Sequence, residues 1–373
     1  MVWGQKLFGH GHGHGRREGD RLLMAAIGLV AVFGLIMLAS ASSVVAYNTY
    51  QDSYYFLKHQ LFNFLLGGAA FWFFSRFDYR RWQAMGLALL VGSIILLLLV
   101  FVPALALGSR AHSWINVFGF SLQPSEFVKL SFLIYLSALF AGSRSGAADK
   151  TVPFIIVYVI IALLMLAQPD LGTLIIITTI ALTVYFISGG RGKYIASFIG
   201  VGLVVLAVLV SLNEYQQNRF RCLINPAYSP QKYCYQINQS LIAIGSGGAW
   251  GRGLGGSRQK FLYLPEVQND FIFSIIAEET GWLISVLLVT AYGFIFWRGY
   301  LIAKRSTDDF GRNLSIGIVT WVAVQAIINI GGITNFLPMT GVPLPLISYG
   351  GSAVLSNLAA LGMLINISKS RNI

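Results

Sequence analysis

Apolar runs recur along the chain with short polar breaks between them, near residues 22–46, 56–75, 83–102, 126–142, 152–168, 171–188, 194–212, 271–297, 314–333 and 351–368. Such runs match the length needed to cross a hydrocarbon layer about 30 Å thick. The pattern predicts an all-α integral membrane protein with about ten transmembrane helices. Arg16, Arg17 and Arg21 precede the first run, but no small-residue cleavage site follows a short apolar core, so that run reads as a retained helix and not a signal peptide. Residues 1–20 are expected to form a flexible cytoplasmic tail, and 21–373 a single polytopic membrane domain.

Between the seventh and eighth runs lies a long polar and glycine-rich stretch, 213–270. A loop of that length in a compact chain is either functional or disordered. Ile237, Leu241, Ile242, Ile244, Trp250, Phe261, Leu262 and Leu264 give it too much apolar surface for disorder, so a large structured loop is expected. Composition agrees with the membrane assignment: 56% of residues are hydrophobic and 11% charged.

Charge then sets the orientation, because short cytoplasmic loops carry the excess of Lys and Arg. Arg76, Arg80 and Arg81, then Arg144 and Lys150, Arg191 and Lys193, Arg298 to Arg312, and Lys369 with Arg371 fall in every second connection. Both termini are therefore expected in the cytoplasm and the 213–270 loop outside. That loop nevertheless carries Arg219, Arg221, Lys232, Arg252, Arg258 and Lys260. Either it binds an anionic substrate, or it is long enough to translocate regardless of charge. The net charge of +12 does not point to nucleic acid, since topology accounts for much of it.

Three further outward segments combine helix-breaking Pro and Gly with polar groups: 108–129, 167–173 and 329–353. Irregular backbone at membrane depth persists only where protein covers it or where it lines a cavity. All four outward segments are thus expected to converge on one cavity. Asp270 and Asp170 each precede an apolar helical run, where an N-cap is the simplest role. Glu126 falls in the first turn of the fourth span, where the helix dipole stabilises a carboxylate. Glu278 and Glu279 lie two turns into the eighth span, with Lys129 or an arginine as expected partners. Gly251-Arg252-Gly253-Leu254-Gly255-Gly256 satisfies a dinucleotide fingerprint but follows no strand, so its glycines serve turns or a backbone anion nest. His10, His12 and His14 alternate with glycine in the tail and have no chemical neighbours in sequence.

The order and identity of six stretches resemble the SEDS (shape, elongation, division and sporulation) family. They are Ala111-His112-Ser113-Trp114-Ile115; Gln123-Pro124-Ser125-Glu126 with Lys129; Gln168-Pro169-Asp170-Leu171-Gly172-Thr173; Ile244-Gly245-Ser246-Gly247-Gly248; Leu264-Pro265-Glu266 with Asp270-Phe271-Ile272-Phe273; and Gly341-Val342-Pro343-Leu344-Pro345 ahead of Ser348-Tyr349-Gly350-Gly351-Ser352. Gly255 to Lys260 ahead of Tyr263-Leu264-Pro265-Glu266, and Gln325 four residues before Asn329, resemble the division branch more than the elongation branch.

The resemblance implies a peptidoglycan glycosyltransferase in the bacterial cytoplasmic (inner) membrane, with its active site on the extracytoplasmic face. It would polymerise lipid II through β-1,4 bonds, release undecaprenyl pyrophosphate, and work in division beside a class B penicillin-binding protein. An elongation polymerase of the same chemistry and a lipid-linked precursor flippase are the alternatives; a flippase would show an internal repeat, and none is found in the sequence.

Glycosidic bond formation needs a base for the acceptor hydroxyl and cationic or dipolar groups for the leaving pyrophosphate. The resemblance and the position at the outer boundary both select Asp270 as base. Arg219, Arg252 and Lys260 are the pyrophosphate candidates, with Lys58 and His59 as further possibilities. Glu126, Lys129, Ser348 and Tyr349 complete the expected substrate-binding set. No resident cofactor is expected; a divalent cation, Mg or Mn, bound by the pyrophosphate with Asp270 is the alternative. Zinc is set aside, because the two cysteines, Cys222 and Cys234, share their loop with no histidine. Only eleven residues separate them, with Pro226 and Pro230 favouring a turn, so in an oxidising compartment a disulfide is expected over two free thiols. Mass spectrometry of non-reduced peptides should recover Cys222 linked to Cys234, and alkylatable thiols at both positions would refute the bridge.

Overall fold

The computed structural model describes residues 19–102, 113–117, 120–142 and 150–370. The tail with His10, His12 and His14, the motif residue His112, and the charges Arg16, Arg17, Arg144 and Arg371 lie outside the described residues.

Helices form at all ten apolar runs. They are α1 (Arg21–Tyr50), α2 (Tyr55–Arg76), α3 (Arg80–Leu99), α4 (Pro124–Phe140), α5 (Thr151–Ala167), α6 (Leu171–Ile187) and α7 (Gly192–Leu212), then α10 (Ile272–Lys304), α11 (Asp309–Ile333) and α12 (Gly351–Ser368). Two shorter helices, α8 (Glu214–Ile224) and α9 (Tyr235–Gly247), give the 213–270 loop its structure. One feature departs from the all-α expectation: β1 (Ile115–Val117) pairs antiparallel with β2 (Phe120–Leu122), Ile115 facing Leu122. Ile-Asn-Val and Phe-Ser-Leu alternate apolar and polar residues, which is the period of a strand. Among the described residues six helices, α1, α3, α7, α10, α11 and α12, are long and apolar enough to cross a membrane. The other helices at the apolar runs differ for local reasons: α4, α5 and α6 have 17 residues each, and α2 carries Lys58, His59 and Gln60 in its first two turns.

Burial is graded from the centre outward. Most residues of α11 and α12 are buried, whereas α7 has none. Peripheral helices turn large apolar side chains outward, among them Leu29, Leu65, Leu87, Leu163 and Leu203. Such an apolar exterior is what a lipid-facing surface requires.

Polar side chains fasten the helices at both ends. At one end Asp20 caps α1 and pairs with Arg298 of α10 at 2.6 Å. There too Asp308 caps α11 and accepts from the hydroxyl of Tyr79, and Asn366 donates to the carbonyl of Ser75. At the opposite end lie the starts of α2, α4, α10 and α12 and the 213–270 loop. Ser240 of α9 donates to the carbonyl of Ile333, and Asn335 donates to the carbonyl of Leu223. Cys222 and Cys234 are joined by a disulfide with a Cα–Cα distance of 5.4 Å.

The glycine-rich strap after α9 cuts into α10. Gly281 breaks that helix with φ 78°, and the freed carbonyls of Glu278 and Glu279 accept from the N–H groups of Arg252 and Gly253. A Cβ on Gly281 would collide with the backbone of Ala249 and Gly251. Gly281→Ala therefore meets both a left-handed backbone and a backbone clash. The strain alone is worth on the order of 1–3 kcal/mol, so a clear fall in melting temperature of the detergent-solubilised protein is expected.

Candidate active site

Asp270 sits where the strap returns to the bundle, just before α10. The cap of that helix is Phe271, and no side chain caps it, so Asp270 does not serve as the N-cap that its place in the sequence allows. Asp170 does: it accepts from the N–H of Thr173 at 3.0 Å at the start of α6. The carboxylate of Asp270 makes no hydrogen bond among the described residues and is only partly open to solvent. Burial pushes its pKa up to about 6, the charge of Glu266 adds to that, and Arg219 offsets part of it.

The backbone around Asp270 is held from three sides. Asn329 of α11 donates to the carbonyls of Asp270 at 2.9 Å and Val342 at 2.7 Å. Ser348 donates to the carbonyl of Asn269 at 2.6 Å and accepts from the N–H of Leu344. The N–H of Tyr349 donates to the carbonyl of Gln268, while its ring packs edge-on against Phe56 at 5.0 Å. Gly341, at φ 75°, brings its backbone so close that a Cβ there would stand 3.3 Å from Oδ2 of Asp270. Asp270, Asn329, Thr340, Gly341 and Val342 share a narrow pocket with room for about one water-sized group.

The sequence-selected cations are divided by the fold. Arg219 of α8 stacks on Tyr215, donates to its hydroxyl, and is the one whose charge reaches Asp270. Lys260 is turned inward: it is buried, donates to Glu279 at 2.9 Å, and contacts Ser40 at 3.2 Å. Arg252 stands 3.9 Å from Glu278, which also accepts from Ser257 and from the N–H of Arg258. The two carboxylates of α10 thus clamp the strap, and Lys129 is not their partner. Lys58 pairs with Asp52 at 2.7 Å on the surface, and His59 packs against Tyr55.

Glu126 and Lys129 form a separate buried cluster. Lys129 donates to Glu126 at 2.7 Å and to Gln325 at 3.0 Å, and lies over the ring of Trp321. Ser356 of α12 donates to the other oxygen of Glu126, and Gln325 passes the network to the carbonyl of Pro343. The pair therefore braces α4, α11, α12 and the loop that carries Gly341. Sequence reasoning noticed Asn329 only as a branch marker and did not single out Thr340. The signal was the threonine and glycine after Pro338-Met339, a polar residue in a segment already marked as irregular.

The fold and the site together define a polytopic helical membrane protein with a buried-edge aspartate beneath a structured loop. The chain belongs to the FtsW, RodA and SpoVE family: the family model, described as "Cell cycle protein", matches residues 20–373. This is the SEDS family. Stage V sporulation protein E of Bacillus subtilis is 38% identical over 359 residues, covering 94% of this chain and 97% of that protein. Probable peptidoglycan glycosyltransferase FtsW of Geobacter metallireducens is 38% identical over 356 residues, covering 93% of each. A chain from a structure titled "Structural coordination of polymerization and crosslinking by a peptidoglycan synthase complex" superposes with a TM-score of 0.77 at 25% identity, covering 94% of this chain and 97% of that one. The rod shape determining protein RodA of Thermus thermophilus gives 0.71 at 24% identity, over 95% and 97%.

Removing one member of a buried ion pair strands the other charge, which costs about 3–5 kcal/mol. Lys129→Ala is expected to lose that much thermal stability in detergent, while the joint change Glu126→Gln with Lys129→Met should recover most of it.

Proposed function

We infer that this protein is a peptidoglycan glycosyltransferase that polymerises lipid II into β-1,4-linked glycan. The acceptor hydroxyl attacks the anomeric carbon of the lipid-linked sugar, its proton passes to Asp270, and the anomeric carbon–oxygen bond breaks with its electrons leaving on undecaprenyl pyrophosphate. The observation that carries this is the state of Asp270: a carboxylate without hydrogen-bond partners among the described residues, with a pKa raised to about 6, where a general base works near neutral pH. Arg219, whose charge acts on Asp270, is the cation proposed to meet the pyrophosphate.

The proposed topology has ten spans, both termini in the cytoplasm, and the 213–270 loop on the extracytoplasmic face of the inner membrane. The shared end for the start of α1 and the end of α12, and the basic residues gathered there, support it. A class B penicillin-binding protein is the proposed partner, supported by the likeness to a chain of a peptidoglycan synthase complex. The identity to FtsW relatives supports a division role. Among the described residues no three His, Cys, Asp or Glu side chains are grouped to hold a metal. A Mg or Mn ion carried by the pyrophosphate and meeting Asp270 remains a proposal, and no step above runs through it.

Asp270→Asn keeps the size of the side chain and removes the base. Loss of glycan synthesis from lipid II by the folded variant is expected, and near-normal synthesis would remove the base from the mechanism. In the wild type, kcat/KM should fall about tenfold per pH unit below about 6. The linkage has a definite sign. A carboxyl with a raised folded pKa favours folding most at low pH and loses that contribution as pH rises through about 6. Asp270→Asn should accordingly melt no lower than wild type at pH 7.5, and any advantage should vanish near pH 4.

A further inference from the structure

Two polar atoms beside Asp270 have no task in the fold. Asn329 commits both amide hydrogens to carbonyls, at 2.9 and 2.7 Å. That fixes its orientation, since the reversed amide would set its oxygen against two carbonyl oxygens. Its Oδ1 is buried and has no partner among the described residues. Thr340 Oγ1 is in the same condition. A buried polar atom without a partner carries a desolvation penalty, and such atoms in a native chain call for a ligand or an ordered water. Both residues line the pocket that Asp270 also lines, and it has room for about one water-sized group.

We propose that Asn329 and Thr340 seat the reacting hydroxyl of the acceptor sugar in front of Asp270, that one hydroxyl filling the water-sized space, with Thr340 Oγ1 donating to it and Asn329 Oδ1 lining the same space. The inference rests on Asp270 acting as base. The hydroxyl gives its hydrogen to Asp270 and accepts from Thr340, so its free lone pair forms the new carbon–oxygen bond. Rigid surroundings fix the seat. A Cβ at Gly172 of α6 would come within 3.1 Å of Thr340 Cβ, and Asn329 is tied to the backbone of Asp270 itself. Hydroxyl and base are thereby held in one geometry, which is how orientation accelerates a bimolecular step.

Thr340 is the residue to test, because changing Asn329 also frees the backbone of Asp270. Wild type, Thr340→Val, Thr340→Ser and Asp270→Asn are compared as full chains in proteoliposomes with lipid II. For Thr340→Val, a kcat lower by roughly 10- to 100-fold, with KM within about twofold, is expected. Its melting temperature should be no lower than wild type, and Thr340→Ser should restore most of the rate. Thr340→Val activity within twofold of wild type, beside an inactive Asp270→Asn, would overturn the seat and leave the base intact. Loss of rate that follows loss of stability, without rescue by serine, would also overturn it. An active Asp270→Asn would remove the base, and the seat with it.

Discussion

Backbone that leaves a helix at membrane depth must find its hydrogen bonds inside the protein, because lipid offers none. The segment from Thr334 to Gly350 meets that demand partly through backbone turns, as where the N–H of Ser348 donates to the carbonyl of Leu344, and partly through side chains of other elements. Gln60 donates to the carbonyl of Ser348 and accepts from the N–H of Gly350. Gln325 serves Pro343, Asn329 serves Val342, and Tyr292 serves Pro345. Side-chain amides of α2 and α11 and one hydroxyl of α10 thus help to hold a loop that lipid could not satisfy. Asp270 is positioned by the same device, since Ser348 and Asn329 reach across to its own backbone and that of Asn269.

The same requirement sorts the charges. Lys129 lies with Glu126, Lys260 with Glu279, and Arg298 with Asp20, each cation at hydrogen-bonding distance from its acid. A pair of this kind is weak evidence for net stability, because desolvation consumes much of the attraction. Its value lies in register: Glu278 and Glu279 fix where the strap lies, and the strap sets where the chain re-enters the bundle at Asp270. Asp270 has no hydrogen-bonded cation among the described residues, and burial, with the charge of Glu266 added, raises its pKa.

Periodicity made the ten helical runs legible, since a hydrophobic run of this length has few other uses. The cysteine spacing and the acid before α10 were legible for similarly local reasons. Pairing was not. Nothing near Lys260 in sequence shows that its ammonium faces inward onto Glu279 rather than outward to a phosphate, and Lys129 was open to Glu278 or Glu279 as readily as to its neighbour Glu126. Cap and base were likewise indistinguishable for Asp270 and Asp170, because both precede apolar helices. The difference is whether a backbone N–H turns toward the carboxylate, which only the assembled loops decide. The β1–β2 hairpin escaped notice because two three-residue strands give too short a stretch for a period of two to stand out between spans.

The loop over the site joins rigidity to exposure. α8 is bridged through Cys222 to Cys234, and Asn335 grips its last turn, so the helix that carries Arg219 is tied to the 334–350 loop beneath it. α7, which leads into α8, has no buried residue and touches the bundle lightly. The cation opposite Asp270 is therefore anchored from the side of the loop and not through the span that precedes it. A polymerase that must admit a long lipid-linked chain while keeping its charges in register needs that division of labour.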